Sequence, residues 1–313
     1  MKMSKLTIVM YHYVRDLQNS AFPRIKGLDI SSFRRQLDFL QAKYSFLPMG
    51  DLTACIKTST PLPDNACWLT FDDGYRDHYE YVFPELVSRG IEGAFFPPVK
   101  SVAEREILDV NKIHFILACI DDVSTLVKEL RLLYLSSDLS QYTGKSFDDY
   151  WEALAKPGRF DSDDVVFVKC MLQHALPQIW RDRFADFLFK KYVSQDVCAF
   201  AEDLYMSSKD LSEMVQAGMY VGSHGYRHLW FSKETRQTQL EEIQNSLTFL
   251  GSIGAPTDDW VMCYPYGAYN SETLEILKGK GCIVGLATKV GVADLQHHPH
   301  LELPRLDTND LPQ

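Results

Sequence analysis

The stretch ACWLTFDDG, residues 66–74, runs from an apolar segment directly into two carboxylates and a glycine. An apolar run bounded by a turn signal predicts a buried β-strand. Because side chains alternate across a strand, Asp72 and Asp73 should point in different directions and could take different roles. An acidic turn or a helix cap would explain the same residues, since Asp-Gly pairs are common in turns. Taken alone, the stretch predicts a strand end whose chemistry depends on the segments that lie beside it.

On both sides of this strand, short apolar runs alternate with amphipathic segments. This alternation is the pattern of βα units around a parallel sheet. The predicted strands are 6–11, 66–71, 93–96, 219–222, 261–264 and 282–287. The predicted helices are 32–44, 79–89, 208–217, 233–250 and 271–279. The sequence therefore predicts an α/β fold with a parallel sheet.

The segment 101–205 is poor in residues that break helices. It holds 2 of the 17 glycines and 2 of the 14 prolines, which predicts mainly helical structure. The chain of 313 residues is long enough for two domains or one large α/β unit. Without 101–205, roughly 210 residues remain, near the low end for one α/β barrel. We therefore expect 1–100 and 206–313 to form a barrel and 101–205 to be a helical insertion.

Composition excludes several classes of protein. A hydrophobic content of 46% and a charged content of 24% are those of a globular chain, not a disordered one. The net charge of -10 argues against nucleic acid or an anionic membrane as a partner. Apolar runs stay below the roughly 18 residues of a membrane-spanning helix. The seven cysteines form no CxxC pair, and 6–11 is too short for a signal-peptide core, so we expect a cytoplasmic protein with reduced thiols.

Two further strand ends carry polar residues. His224 and His228 follow the predicted strand 219–222, and their spacing lets both imidazoles reach one ion. With Asp73 they would supply one oxygen and two nitrogen ligands and leave a position open for water. Two structural histidines are the alternative for the pair taken alone. The turn YPYG, residues 264–267, follows the next predicted strand and could present a backbone N–H and an aromatic ring to a substrate.

These segments together resemble the polysaccharide deacetylase family, carbohydrate esterase family 4. The resemblance rests on TFDDG at 70–74, the His-x-x-x-His of 224–228 and the turn PYG at 265–267, and it extends to MYHYV at 10–14 and to 30–52. It covers about two thirds of the chain and omits the insertion, and the combination is specific although each motif alone is weak. It implies a distorted (β/α)7 barrel that removes acetyl groups from N-acetylated sugars with a divalent metal. Zinc is expected first, with Co²⁺, Ni²⁺ or Mn²⁺ also compatible.

The resemblance also implies roles for individual residues. Asp72 becomes the general base, and Asp73, His224 and His228 become the metal ligands. His12 becomes the general acid, because some members of the family place a Tyr-His motif on the first strand.

Three more residues are assigned to the substrate side. The N–H of Tyr266, in the turn opened by Pro265, matches the oxyanion donor of the family. The stretch LPRLD at 303–307 resembles the closing strand, so Arg305 is expected to line the substrate site.

The chain departs from the family pattern at several positions. Gly225 stands where Ser or Thr often follows the first histidine, and the arginines that frequently precede the Pro-Tyr-Gly turn are absent, with Met262 and Tyr264 nearby. What orients Asp72 is therefore open. The C-terminal acid-histidine motif is also missing, and HHPH at 297–300 resembles a surface loop, with metal binding as a minor alternative.

The sequence thus predicts a metal-dependent carbohydrate N-deacetylase. Its substrate would be an N-acetylated amino sugar in a polysaccharide or in a nucleotide- or lipid-linked precursor, and its products would be acetate and a free amine. Two other classes stay open: a metal-dependent hydrolase of another bond, such as a phosphoester, and a non-catalytic glycan-binding or regulatory protein.

Overall fold

The structure is a computed structural model that describes residues 4–159 and 161–312. The chain divides into two compact units. The first comprises Met1–Asp16, Gly27–Glu106 and Ala201–Gln313, and the second comprises Leu17–Lys26 and Ile107–Phe200. The second unit overlaps the predicted insertion but has different bounds, since it also contains Leu17–Lys26.

Aromatic packing explains why this N-terminal segment belongs to the second unit. The ring of Phe22 contacts the edges of Phe115 and Phe200, with centroid distances of 4.9 and 5.6 Å. The segment has no apolar periodicity, so the sequence offered no signal that it packs with helices so far away in the chain.

The first unit is built on a parallel sheet. Its strands are β1 (Lys5–Tyr11), β2 (Val14–Arg15), β3 (Leu28–Asp29), β4 (Ser45–Phe46), β5 (Ala66–Asp72), β6 (Gly93–Phe96), β7 (Tyr220–Val221), β8 (Trp260–Cys263), β9 (Cys282–Val290), β10 (Ala293–Asp294) and β11 (Leu303–Asp307). Seven of them follow the order β7-β6-β5-β1-β11-β9-β8. β4 pairs with β5, β10 pairs antiparallel with β1, and β2 with β3 forms a separate small parallel pair. The sheet is strongly curled, and the predicted class, a distorted α/β barrel, is confirmed.

The curled sheet nearly closes on itself. Between the end strands β7 and β8, the ladder is a single bridge that joins Ser223 to Met262. The Ser223 N–H donates to the Val261 carbonyl at 3.0 Å, and the Cys263 N–H donates to the Ser223 carbonyl at 2.8 Å. These contacts bring the chain after β7 beside the end of β8.

Both units contain helices. They are α1 (Ile30–Lys43), α2 (Met49–Thr58), α3 (Phe83–Arg89), α4 (Val99–Ala103), α5 (Asp109–Cys119), α6 (Val123–Leu135), α7 (Leu139–Thr143), α8 (Phe147–Leu154), α9 (Asp163–Cys170), α10 (Gln178–Tyr192), α11 (Val197–Leu204), α12 (Ser208–Gln216), α13 (Arg236–Ser252) and α14 (Ser271–Gly279). Several begin at capping residues: Asp29 caps α1, and Ser207 with Asp210 forms a capping box at α12. Nowhere in 4–159 or 161–312 is a helix both long and apolar enough to cross a lipid bilayer.

One predicted helix is divided. The prediction at 79–89 corresponds to a π-helical turn, His78–Val82, followed by α3. Pro84 stands at the start of α3 and has no N–H to donate to the preceding turn, which accounts for the change of hydrogen-bond pattern.

Two apolar layers hold the first unit together. Alternate residues of each strand face opposite sides, as the strand period requires. Ile8, Trp68 and Phe96 belong to the layer on one side of the sheet. Val9 and Leu69 belong to the other layer, where the strands pack against the apolar faces of the helices. Side chains that leave the ends of the strands are therefore held on a rigid base.

Candidate metal centre and active site

The turn after β5 separates the two aspartates. Asp72 ends the strand, whereas Asp73 has a left-handed backbone with φ of +72°, and its N–H donates to the Phe96 carbonyl at 3.1 Å. Gly74 also has positive φ, and a Cβ there would lie 2.7 Å from the Cβ of Pro97. The turn therefore requires glycine and sends the two carboxylates in different directions.

Asp73, His224 and His228 come together as a buried cluster. Asp73 Oδ1 lies 3.4 Å from Nε2 of each histidine. His224 Nδ1–H donates to the Cys263 carbonyl at 2.7 Å, so that Nε2 presents its lone pair to the cluster. Within the described part of the chain, the buried Asp73 Oδ1 has no hydrogen-bond partner. An oxygen and two nitrogens with an unsatisfied acceptor between them fit a divalent metal.

The electrostatics of the cluster favour the protonation states in which Asp73 and His228 can bind a metal. Burial opposes the charge of Asp73, but the neighbouring histidines outweigh it and hold the carboxyl pKa well below its usual range. Burial, and then the charge of His224, lower the pKa of His228 to about 3. A carboxylate and a neutral imidazole are the forms that bind a metal.

A second group, Asp72, His224 and Cys263, is also close enough to hold an ion. There, Arg305 donates to both oxygens of Asp72, from Nη1 at 2.9 Å and from Nη2 at 2.8 Å. A guanidinium in that place disfavours a cation, and His224 is shared with the first cluster. The described residues thus supply one complete ligand set.

Arg305 does not have the predicted position. It was expected to line the substrate site, but it is fully buried behind Asp72. Its other hydrogen bonds go to the Ala287 carbonyl and Thr70 Oγ1, both at 3.1 Å. Burial raises the pKa of Asp72, but the charge and hydrogen bonds of Arg305, together with the charges of His12 and His224, outweigh it and lower the pKa. Arg305 therefore orients Asp72, the task left open by the absence of arginine near Met262.

His12 lies at the open side of the same carboxylate. Its Nε2 is 3.9 Å from Asp72 Oδ2, and its side chain is 40% exposed whereas that of Asp72 is 2% exposed. His78 holds the backbone of His12, because its Nε2–H donates to the His12 carbonyl at 2.6 Å. His78 was missed in the sequence because a buried histidine on a helical turn looks like a core residue.

The turn after β8 lies beside the metal cluster. Tyr266 has φ of +59°, and its ring contacts His228 edge-on at 4.6 Å. The ring of Trp230 stacks on that of Tyr266 with a centroid distance of 4.3 Å and an interplanar angle of 8°. Pro265 is buried. The aromatic stack fixes the backbone of Tyr266 next to the cluster.

The loop that carries the histidines is held by a residue that sequence reasoning missed. Glu242 of α13 is buried and accepts from the N–H groups of Tyr226 and Arg227 at 3.0 and 2.8 Å, and from Arg227 Nε at 2.6 Å. These hydrogen bonds hold the loop in which Gly225 follows the first histidine. A charged residue within the helix 236–252 was the available signal, but its partner lies far away in the sequence.

The histidines of 297–300 are engaged in local contacts. His298 Nδ1 accepts from the Asp294 N–H, His297 pairs with the Asp294 carboxylate, and His300 Nε2–H donates to the Leu295 carbonyl. Neither of the two candidate metal groups found among the described residues includes them.

Sequence comparison finds similarity to the same family over part of the chain. The family model for polysaccharide deacetylase matches residues 176–284. The chain is 29% identical over 89 residues to YxkH of Bacillus subtilis (strain 168), a protein named as a polysaccharide deacetylase. This match covers 28% of the chain and 32% of YxkH, so the chain matches about a third of the length of that relative.

Solved structures with the same fold cover nearly the whole chain. Streptococcus pyogenes deacetylase PplD in complex with acetate has a TM-score of 0.57 at 16% identity and covers 98% of this chain and 93% of its own. IcaB from Ammonifex degensii has a TM-score of 0.57 at 18% identity, with coverage of 97% and 92%. A de-N-acetylase from Aggregatibacter actinomycetemcomitans has a TM-score of 0.53 at 14% identity, with coverage of 97% and 95%. These likenesses show the fold.

The molecule is thus an α/β barrel protein with a buried candidate metal cluster at the ends of its strands. Part of the chain, residues 176–284, matches the family model for polysaccharide deacetylase, and the fold is similar to that of the solved deacetylases.

Proposed function

We propose that the protein is a metal-dependent carbohydrate N-deacetylase that converts an N-acetylated amino sugar to acetate and a free amine. The observation that carries the proposal is the juxtaposition of two sets of groups. The ligand set Asp73, His224 and His228 lies beside Asp72, a buried carboxylate that is held ionised, and His12, an accessible imidazole.

The residues have separate roles in amide hydrolysis. A divalent metal bound by the ligand set would polarise the acetamide carbonyl and lower the pKa of a water molecule toward about 7. Asp72 is the candidate acceptor of a proton from the attacking water, because Arg305 orients both of its oxygens beside the ligand set and holds the carboxylate ionised.

Two groups then act on the products of attack. The N–H of Tyr266 is the candidate donor to the oxyanion that develops on the carbonyl oxygen. His12 donates a proton to the departing amine, because an unprotonated amine is a poor leaving group. Its exposed side chain and its distance of 3.9 Å from Asp72 Oδ2 support this assignment.

The class of substrate follows from the relatives. Proteins with the same fold include a deacetylase in complex with acetate and a de-N-acetylase. By analogy, the substrate here is an N-acetylated sugar, either within a polysaccharide or in its nucleotide- or lipid-linked precursor. Zinc is the first candidate for the metal, because an oxygen and two nitrogens with an open position are typical of catalytic zinc sites.

The test measures metal content and acetate release in one preparation, with an N-acetylglucosamine oligomer and an N-acetylated sugar nucleotide as substrates. We expect release that requires the metal. Asp72→Asn should reduce turnover by at least about a thousandfold while the metal stays bound, since base and positioning effects add. His224→Ala should lose the metal. Asp38→Asn, an exposed carboxylate paired with Arg89, is the matched control.

The other outcomes separate the rival classes. Full acetate release by Asp72→Asn would sink the assignment of the base. Glycan binding without acetate release or metal would indicate a non-catalytic binding protein. Hydrolysis of an aryl phosphate in place of the acetamide would indicate a hydrolase of another bond.

A further inference from the structure

Tyr75 is a fully buried tyrosine directly beside the candidate metal cluster. Its hydroxyl donates to Asp73 Oδ2 at 2.5 Å. The other oxygen, Oδ1, faces His224 and His228 at 3.4 Å and has no hydrogen-bond partner in the described part of the chain. The two oxygens of one carboxylate therefore have different surroundings, one protein-bound and one free for an ion.

Packing keeps the hydroxyl of Tyr75 in place. Tyr13 stacks on its ring with a centroid distance of 4.1 Å and an angle of 20°, and His78 contacts it edge-on at 5.5 Å. The backbone of Tyr75 forms a bridge with Tyr205. A ring held on several sides cannot follow Asp73 if the carboxylate rotates.

The backbone of Asp73 adds to this constraint. A φ of +72° is uncommon for a residue other than glycine and persists only where surrounding contacts fix it. The N–H bond of Asp73 to the Phe96 carbonyl fixes one side of the residue, and the hydroxyl of Tyr75 fixes the end of its side chain.

We infer that Tyr75 is a positioning residue that restricts Asp73 to one metal-facing oxygen, Oδ1. The inference rests on the proposed metal-dependent function. Carboxylates bind cations through one oxygen or through both. If Oδ2 also bound, it would fill a position that a hydrolytic metal site leaves to water or substrate. A bound cation here takes one carboxylate oxygen and two imidazole nitrogens from the protein.

The experiment compares Tyr75→Phe with the wild-type protein, both saturated with Co²⁺ in place of the native metal. Removal of the hydroxyl frees Oδ2, so that the coordination number should rise and the visible absorption of Co²⁺ should become weaker. Tyr79→Phe is the matched control, because Tyr79 also donates to a carboxylate, Glu213 Oε2, at 2.5 Å but lies outside the metal cluster. We expect its Co²⁺ spectrum to equal that of the wild type.

Each outcome bears on the inference. A Tyr75→Phe spectrum identical to that of the wild type would overturn it. A folded Tyr75→Phe that no longer binds Co²⁺, while Tyr79→Phe does, would also overturn it, because release of Oδ2 should add a ligand oxygen and keep the cation bound. If the wild-type protein binds no divalent metal, the proposed metal-dependent function itself fails. This result differs from an unchanged Tyr75→Phe spectrum, which would overturn only the role of Tyr75.

A second measurement does not depend on the folding of a variant. Binding of Zn²⁺ to the wild-type protein is followed by infrared difference spectroscopy of the carboxylate stretching bands. Coordination through one oxygen widens the separation of the two bands, which is the expected result. A narrowed separation indicates coordination through both oxygens and would overturn the inference.

Discussion

Adjacent residues in the turn after β5 depend on different partners. Asp72 is paired with Arg305, which reaches it from β11, whereas Asp73 is held by Tyr75 and faces two histidines. The charge of Asp72 is thus balanced by Arg305, whereas Asp73 keeps one oxygen, Oδ1, without a hydrogen-bond partner among the described residues. The turn that separates the two carboxylates has positive φ at both Asp73 and Gly74.

Removal of Arg305 should change both the pH profile and the stability. Arg305→Met removes the strongest group that lowers the pKa of Asp72, so this pKa should rise, and acetate release should begin at a higher pH than in the wild type. A carboxyl with a depressed pKa in the folded state contributes stability above its unfolded pKa, and this contribution is lost as the pH falls. The variant should therefore lose about 3–5 kcal/mol at neutral pH and less near about pH 4. Urea unfolding at both pH values and the pH–rate profile check this.

The control for this variant is Arg89→Met. Arg89 pairs with Asp38 and Glu85 near the surface, where such pairs contribute about 1 kcal/mol or less. An acid limb of the pH profile that is the same in Arg305→Met and in the wild type would refute the orienting role.

At the residue scale, sequence reasoning named the groups of the site better than their supports. His12, Asp72, Asp73, His224 and His228 are brought together as predicted. Their roles stay predictions. Tyr75, His78 and Glu242 were missed, because a buried hydrogen bond between distant segments leaves no local pattern in a sequence.

Among the elements, α13 has the most direct influence on the site. Glu242 lies on its buried face, next to the apolar Ile243, and accepts three hydrogen bonds from the histidine loop. A second buried polar residue one turn earlier, Gln239, donates to the carbonyls of Phe231 and Glu234. The helix thus carries a polar row that fixes the loop from behind.

Glu242→Gln should loosen that loop. An amide keeps the shape but loses the charge that strengthens these hydrogen bonds, so the free energy of unfolding should fall by about 1–3 kcal/mol. Metal affinity should fall about tenfold to a hundredfold, as when an outer partner of a metal ligand is removed. Competition with a Zn²⁺ chelator and urea unfolding measure the two effects. Glu241→Gln, an exposed neighbour on the same helix, should change neither, and equal behaviour of the two variants would contradict the prediction.

Most of the elements could be predicted, and the exceptions have physical causes. The strand at 93–96 and the helix at 271–279 have the predicted bounds. β7 is shorter than predicted, because β6 alone pairs with it along its length. β11 was expected only from the family resemblance, since Pro304 argues against a central strand. A shift of register between Leu303 and Arg305 accommodates this proline.

On the scale of the whole molecule, the candidate metal ligands all belong to the first unit. A ligand that binds only the folded state stabilises it by about 2.7 kcal/mol at a concentration of one hundred times Kd. Zn²⁺ at that level should slow exchange of the most protected amides of β5 and β8 about a hundredfold. Amides of α6 and α10 in the second unit should keep their rates.

Hydrogen exchange followed by mass spectrometry, with and without Zn²⁺, tests this prediction. His224→Ala is the control and should show no effect of the metal in either unit. Equal protection of both units by Zn²⁺ would show that they unfold together.

The incomplete closure of the sheet has one more consequence. Ser223 joins β7 to β8 through its backbone, and His224 crosses the same gap by donating to the Cys263 carbonyl at 2.7 Å. The side chain of His224 therefore joins the two edges of the sheet by a hydrogen bond and is also a candidate metal ligand. Ion occupancy and edge closure are thermodynamically linked, and the linkage is reciprocal: the free energy that a closed edge adds to ion affinity is the free energy that a bound ion adds to closure.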